Sequence, residues 1–256
     1  MNDFRRRYQG AQGLFWIRRV NHPAGAVVAL LLLPTRMTPN MVTMAGLTVH
    51  VVTAMVLATL STPVPPVTWL SVMVLWQLAF SLDCADGQLA RARRSSSPFG
   101  AWLDQLVDVV THAILYTALT TYVVRALAMD GLSAALFASI VISLSMLQLL
   151  TTWGRAEILG TEPAIRQPSP LLVLMMHGKH VLDYGFYLFV AALLLPWPAA
   201  LLVFLVAYAS ISGLAVVAQL GLNWRRYITD ARRSPVLAVP ARPETADDPS
   251  TSDKGG

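Results

Sequence analysis

Six long apolar runs constrain the fold of this chain more than any other feature of its sequence. Each holds about 20 residues or more, enough for a helix to cross the ~30 Å hydrocarbon core of a bilayer. Backbone groups in lipid must find hydrogen-bond partners within their own segment, so these runs are predicted to be helices, and the alternating pattern of a membrane β-barrel is absent. The predicted spans are Pro39–Leu60, Val67–Arg91, Phe99–Ala126, Leu132–Trp153, Leu171–Leu195 and Ala199–Leu222.

The composition agrees with an all-α, polytopic membrane protein. The chain is 55% hydrophobic and 13% charged, whereas soluble domains carry about 25% charged residues. The pI of about 9.7 could indicate nucleic acid, but basic residues in membrane proteins mark the cytoplasmic side and contact anionic lipid. We therefore predict membrane lipids and no nucleic acid as partners. The lone cysteine, Cys84, excludes an intrachain disulfide and is interpreted as a packing residue.

Arginines predict the orientation of the six spans. They cluster before span one, between spans two and three, between spans four and five, and after span six, at Arg5, Arg6, Arg7, Arg18, Arg19, Arg36, Arg91, Arg93, Arg94, Arg155, Arg166, Arg225, Arg226, Arg232 and Arg233. The connections on the opposite side offer only Arg125. By the positive-inside rule both termini face the cytoplasm, as does the connection between spans two and three.

The two ends of the chain differ in composition from the predicted membrane domain, residues 37–227. Residues 1–36 mix "FRRRY" and "FWIRR" with a short apolar run, and are predicted to form an interfacial amphipathic helix. A signal peptide is the alternative, but the run lies far from the start and no clear small-residue cleavage site follows it. Residues 228–256 are rich in Pro, Asp, Ser and Thr and predict a disordered cytoplasmic tail.

The connection between spans two and three is flanked by four aspartates in an otherwise apolar sequence. Asp83 and Asp86 are three residues apart, and Asp104 and Asp108 are four apart, so each pair lies on one face of its helix. Between them, "RRSSSPFG" carries the proline and glycine punctuation of a turn. The sequence therefore predicts a helical hairpin whose four carboxylates converge near the cytoplasmic surface.

Four converging carboxylates need a positive partner, because ionised groups at membrane depth are costly unless paired. Arg91 is the only cation adjacent to them within the motif, so a metal ion is the simplest counter-charge. Oxygen ligands suit Mg²⁺, Mn²⁺ or Ca²⁺ rather than zinc. Four carboxylates can hold two divalent ions through shared oxygens, an arrangement that serves phosphoryl transfer. We predict Mg²⁺ or Mn²⁺ as cofactor, with two ions bound.

The residues between the aspartates suit a phosphate-bearing ligand. Gly87 has no side chain and lets a ligand approach the helix backbone, and Ala90, one turn further on, is also small. Arg91 can bind a phosphate in bidentate fashion. Ser97 can donate a hydrogen bond from its hydroxyl group.

These residues follow a fixed spacing that resembles the full signature of the CDP-alcohol phosphotransferase family. The chain reads Asp83-x2-Asp86-Gly87-x2-Ala90-Arg91-x8-Gly100-x3-Asp104-x3-Asp108, with no departure at a fixed position. The six-span layout extends the resemblance to about Trp224. The resemblance implies an integral membrane enzyme of the bacterial cytoplasmic membrane, with its active site facing the cytoplasm and a homodimer as the assembled form.

The resemblance also implies a reaction and a role for each residue. Enzymes of this family transfer a substituted phosphate from a CDP-alcohol donor, usually CDP-diacylglycerol, to a small polar alcohol acceptor and release CMP, in phospholipid biosynthesis. The implied metal ligands are Asp83, Asp86, Asp104 and Asp108, of which Asp108 is also the general base. The implied donor-binding residues are Asp83, Gly87, Ala90, Arg91 and Ser97.

A second stretch, "TPNMVT" at residues 38–43, resembles one that lies beside the bound CDP group in relatives. Asn40 and Thr43 are therefore predicted donor contacts. The sequence itself supports a plainer function equally well, because Thr38 or Asn40 can cap the helix and Pro39 suits its first turn.

The start of span five, "MMHGKHVLDYGF", is unusually polar. One interpretation is that Lys179 snorkels to the headgroups and pairs with Asp183 on the same helix. The functional interpretation is that Lys179 and His180, together with Arg155, hold an anionic acceptor such as inositol phosphate or glycerol phosphate.

Two other functions remain open from sequence. The carboxylates could line a cation or proton pathway in a transporter, although all four lie at one face of the membrane and no acidic residue continues across it. The chain could also be a catalytically inactive relative. His50 and His112 lie within spans and are interpreted as packed, hydrogen-bonded residues rather than catalytic ones.

Overall fold

The computed structural model describes Phe4, residues 14–159 and residues 183–233, and within these ranges the secondary structure is helical, with no strand. A π-helical turn, Ile17–Asn21, leads into the first α-helix. The α-helices are α1 (His22–Leu32), α2 (Pro39–Thr59), α3 (Pro66–Ala92), α4 (Pro98–Ala126), α5 (Gly131–Leu159), α6 (Tyr184–Leu193) and α7 (Pro198–Arg233). Residues Met1–Val216 form one compact unit, and a second begins at Val217, within α7.

Five helices are long and apolar enough to cross a membrane: α2, α3, α4, α5 and α7. They coincide with predicted spans one to four and six to within a few residues, which confirms a multi-pass membrane protein. Proline stands in the first turn of α2, α3 and α4, where its missing N–H costs nothing and its fixed φ suits a helix start. Which side of the membrane each end faces remains a prediction.

The fifth predicted span, Leu171–Leu195, is wrong as a single helix. Helix α6 has 10 residues and begins at Tyr184, and Asp183 before it is extended, with ψ 114°. Its length is about half of what a span needs. Residues 171–182 lie outside the described part of the chain.

Asp183 interrupts that span because its carboxylate accepts hydrogen bonds from backbone N–H groups. The side chain is only 1% exposed. Its oxygens accept hydrogen bonds from the backbone N–H groups of Trp16 at 2.8 Å, Ile17 at 3.2 Å and Gly185 at 3.2 Å. The predicted pairing of Asp183 with Lys179 on one continuous helix is therefore also wrong.

Part of the N-terminal segment is built into the helix packing. Helix α1 packs against α3, and a Cβ atom on Gly25 would lie 2.9 Å from both the Cys84 Cβ and the Ser81 carbonyl oxygen. Only glycine allows this approach. Cys84 therefore faces α1, which confirms its interpretation as a packing residue. Leu31 on the same helix remains 69% exposed, and the placement of residues 1–36 at the membrane interface remains a prediction.

The apolar core is built from side chains of α2, α3, α4, α5, α6 and the first part of α7. Its largest fully buried side chains include Trp76, Tyr116, Tyr122 and Tyr187. Polar tips in this core find partners: Trp76 Nε1 donates to Thr53 Oγ1 at 2.9 Å, and the Tyr122 hydroxyl donates to the Leu195 carbonyl at 2.6 Å. Helix α2 packs against both α3 and α4, and so positions the two helices that carry the aspartates.

Arg93 fastens the connection between α1 and α2 to the end of α3. Its guanidinium donates to four carbonyl oxygens, those of Leu32 at 2.7 Å, Thr35 at 2.9 Å, Leu33 at 3.2 Å, and Met37. The carbonyls at a helix C-terminus have no partner within the helix, so an arginine placed there satisfies them. Sequence alone suggested only an orientation signal for Arg93.

We expect Arg93→Met to lower the free energy of unfolding by about 2 kcal/mol, because four carbonyl oxygens lose the charged donor that they share. Thermal unfolding in detergent measures the loss. Arg94→Met is the matched control, because the Arg94 side chain makes no hydrogen bond within the described part of the chain. Equal unfolding midpoints for the two variants would contradict the role given to Arg93.

Candidate active site

The four signature aspartates lie on a hairpin formed by the end of α3 and the start of α4. Asp83 and Asp86 occupy the last turns of α3, and Asp104 and Asp108 the first turns of α4. The turn between the helices is short and includes Arg94, which adopts the left-handed conformation with φ 54°. The predicted hairpin is confirmed.

The carboxylates converge as the spacing predicted. Oxygen atoms of Asp83, Asp86 and Asp104 all lie within 4.8 Å of one another. Asp108 lies beside Asp83, with which it lines one small cavity. Two carboxylates at that distance repel unless a proton or a cation lies between them. The donors are all oxygens, which is the set that Mg²⁺ and Mn²⁺ prefer, so these residues fit a divalent ion.

Asp86 is held in place by a hydroxyl group from another helix. Asp86 is 5% exposed and Thr43, on α2, is 6% exposed. The Thr43 hydroxyl donates a short hydrogen bond to the Asp86 carboxylate and also lies 3.2 Å from the Pro39 carbonyl. A partner of this kind fixes the orientation of a ligating carboxylate. The structure thus engages the Thr43 hydroxyl with Asp86, and the contact of Thr43 with a nucleotide remains a prediction.

Arg91 folds back over Gly87 toward the carboxylates. A Cβ atom on Gly87 would lie 3.2 Å from Arg91 Nη1, so the absence of a side chain makes room for the guanidinium. The positive charge of Arg91 acts on Asp86 and Asp104. Arg91 itself is exposed, and Ala90 beside it is partly exposed, so an anion can reach the guanidinium from solvent.

The N-termini of α2 and α4 lie close together. Ser97 caps α4 by accepting a hydrogen bond from Gly100 N at 3.0 Å, which leaves its own hydroxyl proton available. The point where a Gly100 Cβ would stand is 3.2 Å from Ser97 Oγ and 3.4 Å from Asn40 Oδ1. Thr38 caps α2 by accepting from Met41 N, so the cap predicted there is confirmed. Helix N-termini attract negatively charged groups.

Next to the carboxylates of Asp83 and Asp108 lies a small cavity between α2, α3, α4 and α6. Its lining residues are Thr43, Gly46, Leu47, His50, Ala79, Phe80, Asp83, Val107, Asp108, Thr111 and Tyr184. The sequence analysis missed Thr111 and Tyr184. Thr111 follows Asp108 by three residues and lies on the same helix face, so helix periodicity could have indicated it. Tyr184 has no local signal, because the packing of α6 brings it there.

The two predicted core histidines are packed, as expected. His112 is 6% exposed, its Nδ1 lies 2.7 Å from the backbone carbonyl of Asp108, and its ring stacks on Tyr184 at 3.8 Å between centroids. His50 is 4% exposed, and its Nδ1 lies 3.1 Å from the Gly46 carbonyl.

The structure does not describe the side chains of the predicted acceptor-binding residues. Lys179 and His180 lie outside the described residues. Arg155 is part of α5, but its side chain is also outside the described part. Their placement at the site remains a prediction.

A family model described as CDP-alcohol phosphatidyltransferase matches residues 36–209. The phosphatidylinositol phosphate synthase of Mycolicibacterium smegmatis is 25% identical over 226 residues, which are 88% of this chain and 91% of that protein. The match spans the signature and extends well beyond it on both sides.

Solved structures share the fold. A crystal structure of Mycobacterium tuberculosis phosphatidylinositol phosphate synthase with CDP-DAG bound has a TM-score of 0.53 and 23% identity, and covers 80% of this chain and 94% of that one. The same synthase in complex with manganese and citrate has a TM-score of 0.52 and 24% identity, with 78% and 88% covered. With the signature carboxylates converging on one hairpin and a family model matched over most of the chain, this protein belongs to the CDP-alcohol phosphatidyltransferase family.

Proposed function

We propose that the protein transfers a phosphatidyl group from CDP-diacylglycerol to the hydroxyl of a small polyol phosphate and releases CMP. The observation that carries this proposal is the convergence of Asp83, Asp86 and Asp104 within 4.8 Å, with Asp108 beside Asp83. The similar synthase that binds CDP-DAG supports the choice of donor. The names of that synthase and of its relative from M. smegmatis support inositol phosphate as an acceptor.

The carboxylates of Asp83, Asp86, Asp104 and Asp108 would hold the divalent ions, two in number. When bound, Mg²⁺ or Mn²⁺ neutralises the donor's pyrophosphate and polarises the phosphorus under attack. The structure of the similar synthase with manganese supports this choice. Thr43 orients Asp86 through its hydroxyl group and so acts as a positioning residue for the ion site.

The other residues divide the work of binding and proton transfer. Arg91, beside the open backbone of Gly87 and the small Ala90, binds the pyrophosphate, and Ser97 and Asn40 contact the nucleotide near the two helix N-termini. Asp108 takes the proton of the acceptor hydroxyl. The hydroxyl oxygen bonds to the phosphorus that carries diacylglycerol, the bond from that phosphorus to the bridging oxygen breaks, and CMP leaves with that oxygen.

Release of CMP from purified protein tests the reaction class. The protein is incubated with CDP-diacylglycerol, Mg²⁺ or Mn²⁺, and one acceptor at a time: inositol phosphate, glycerol phosphate, inositol, glycerol or serine. We expect acceptor-dependent CMP release and a new phospholipid. No CMP release with any acceptor would overturn the proposal, and metal-dependent ion flux in liposomes would then favour a transporter.

The acceptor phosphate is proposed to bind Arg155, Lys179 and His180. We expect Lys179→Met and Arg155→Met each to raise the acceptor KM about 10-fold to 100-fold while leaving the KM for CDP-diacylglycerol almost unchanged, because a charge-assisted hydrogen bond contributes roughly 1.5–3 kcal/mol. Initial rates with each substrate varied in turn measure this. Lys254→Met, at the chain's other lysine, is the matched control. Unchanged acceptor KM in both variants would favour a neutral acceptor bound elsewhere.

A further inference from the structure

The cavity next to the carboxylates contains two buried polar atoms that lack partners. His50 Nε2 and the Tyr184 hydroxyl are both enclosed, and neither has a hydrogen-bond partner among the described residues. Both side chains line the cavity, together with Asp83 and Asp108. A buried polar atom without a partner costs about 1–3 kcal/mol, so two such atoms around one space need an explanation.

The hydrogen bond of His50 determines what its second nitrogen can do. Nδ1 lies 3.1 Å from the Gly46 carbonyl oxygen, and a carbonyl only accepts, so Nδ1 carries the proton. Nε2 of the neutral ring is then an acceptor. His50 is 4% exposed, so this acceptor can be satisfied only by a group that enters the cavity.

Tyr184 is held rigidly on another wall. Its ring stacks on His112 at 3.8 Å and meets the Phe80 ring edge-on at 5.4 Å between centroids. It is the first residue of α6, directly after the Asp183 cap. Because the ring is fixed on both sides, its hydroxyl can offer a donor at a set position.

The size and charge of the cavity restrict the group that fits. The free space is about that of one hydroxyl group. Among the described lining residues there is no arginine or lysine, and Asp83 and Asp108 form one wall. A phosphate is too large for this space, whereas one hydroxyl can donate to His50 Nε2 and accept from Tyr184.

We propose that His50 and Tyr184 form a hydroxyl-binding subsite, which receives a hydroxyl of the acceptor next to the one that reacts at Asp108. The subsite selects polyols over simple alcohols and sets the acceptor's orientation in the site. This inference rests on the proposed transferase function. His50 and Tyr184 act by positioning the acceptor.

Two substitutions and a pair of acceptors test the subsite. Tyr184→Phe removes one oxygen and keeps the ring, and His50→Leu removes the acceptor nitrogen. The probes are glycerol 3-phosphate and inositol 1-phosphate, whichever releases CMP with the wild type. Each is compared with a deoxy analogue that lacks one hydroxyl beside the reacting one; for glycerol 3-phosphate this is 1,3-propanediol phosphate.

We expect both variants to raise the acceptor KM about 10-fold, with the KM for CDP-diacylglycerol unchanged. With the wild type, the deoxy analogue should have a KM at least about 10-fold above that of its parent. In the variants this ratio should fall to about 3 or less, because the protein group that binds this hydroxyl is already absent. His50→Gln, which keeps an acceptor oxygen, should recover part of the loss.

Tyr187→Phe is the matched control. The Tyr187 hydroxyl is likewise buried without a partner in the described residues, but Tyr187 does not line the cavity. The acceptor KM of the Tyr187→Phe variant should therefore match that of the wild type. If His50→Leu fails to fold in a thermal unfolding assay, Tyr184→Phe decides alone. CMP release by the wild type with unchanged acceptor KM and analogue ratio in Tyr184→Phe would overturn the subsite alone. Absence of CMP release by the wild type would overturn the transferase function and the subsite with it.

Discussion

Asp108→Asn is expected to lower kcat by about 10²-fold to 10⁴-fold, the contribution of a general base. Asparagine has the same shape, but it cannot take the proton of the acceptor hydroxyl. Asp83, Asp86 and Asp104 remain to bind the donor's pyrophosphate through the metal, so CMP binding should stay largely intact. Rates of CMP release and CMP affinity by calorimetry separate the two effects.

The matched control for this substitution is Asp130→Asn. Asp130 caps the start of α5, where its carboxylate accepts from Leu132 N at 3.1 Å and Ser133 N at 3.0 Å. Asparagine caps a helix about as well as aspartate, so activity should be unchanged. An Asp108→Asn variant that kept more than about a tenth of wild-type turnover would show that another group is the base.

Removal of divalent ions is expected to abolish turnover completely. The carboxylate cluster contains no His or Cys ligand, and without a cation its like charges repel one another at the very place where the pyrophosphate must bind. Dialysis against EDTA should remove activity, and added Mn²⁺ or Mg²⁺ should restore it. Because the chelator could act on the protein directly, EDTA already saturated with Mg²⁺ is the control.

Metal binding can also be measured apart from turnover. Mn²⁺ titration followed by electron paramagnetic resonance should give a lower affinity for Asp86→Asn than for the wild type, since Asp86 is the most buried of the proposed ligands. Thr43→Val, which frees that carboxylate, should reduce the affinity by a smaller factor. Full activity in excess free EDTA would refute the metal site.

Sequence predicted the local part of the site well. The spacings of three and four residues put each aspartate pair on one helix face, and the proline at residue 98 marked where α4 begins. Both depend on neighbours in the chain, so residue types and spacing were sufficient. Asp183 shows the limit, because a hydropathy window counts it as one polar residue inside an apolar run. Its carboxylate caps α6 through Gly185 N and also accepts from the N–H groups of Trp16 and Ile17, more than 160 positions away.

The same limit applies to the rest of the site. Thr43 reaches Asp86 across 43 positions, and nothing near either residue indicates the bond. His50 was correctly interpreted as packed and hydrogen-bonded. The role proposed for its Nε2 depends on Tyr184, which α6 brings to the same cavity. Residues whose roles depend on contacts between distant helices could be named only from the folded structure.

The hairpin of α3 and α4 has a consequence for the order of assembly. Asp108 is the last of the four aspartates in the sequence. All four have therefore been synthesised when the ribosome has made less than half of the chain. Tyr184, the last of the residues that line the cavity, comes much later. Contacts between near neighbours in sequence form faster than distant ones, and acidic residues are costly to insert into a bilayer one at a time. The newly made hairpin can therefore gather its carboxylates, and capture a cation, before α6 exists to complete the cavity beside them.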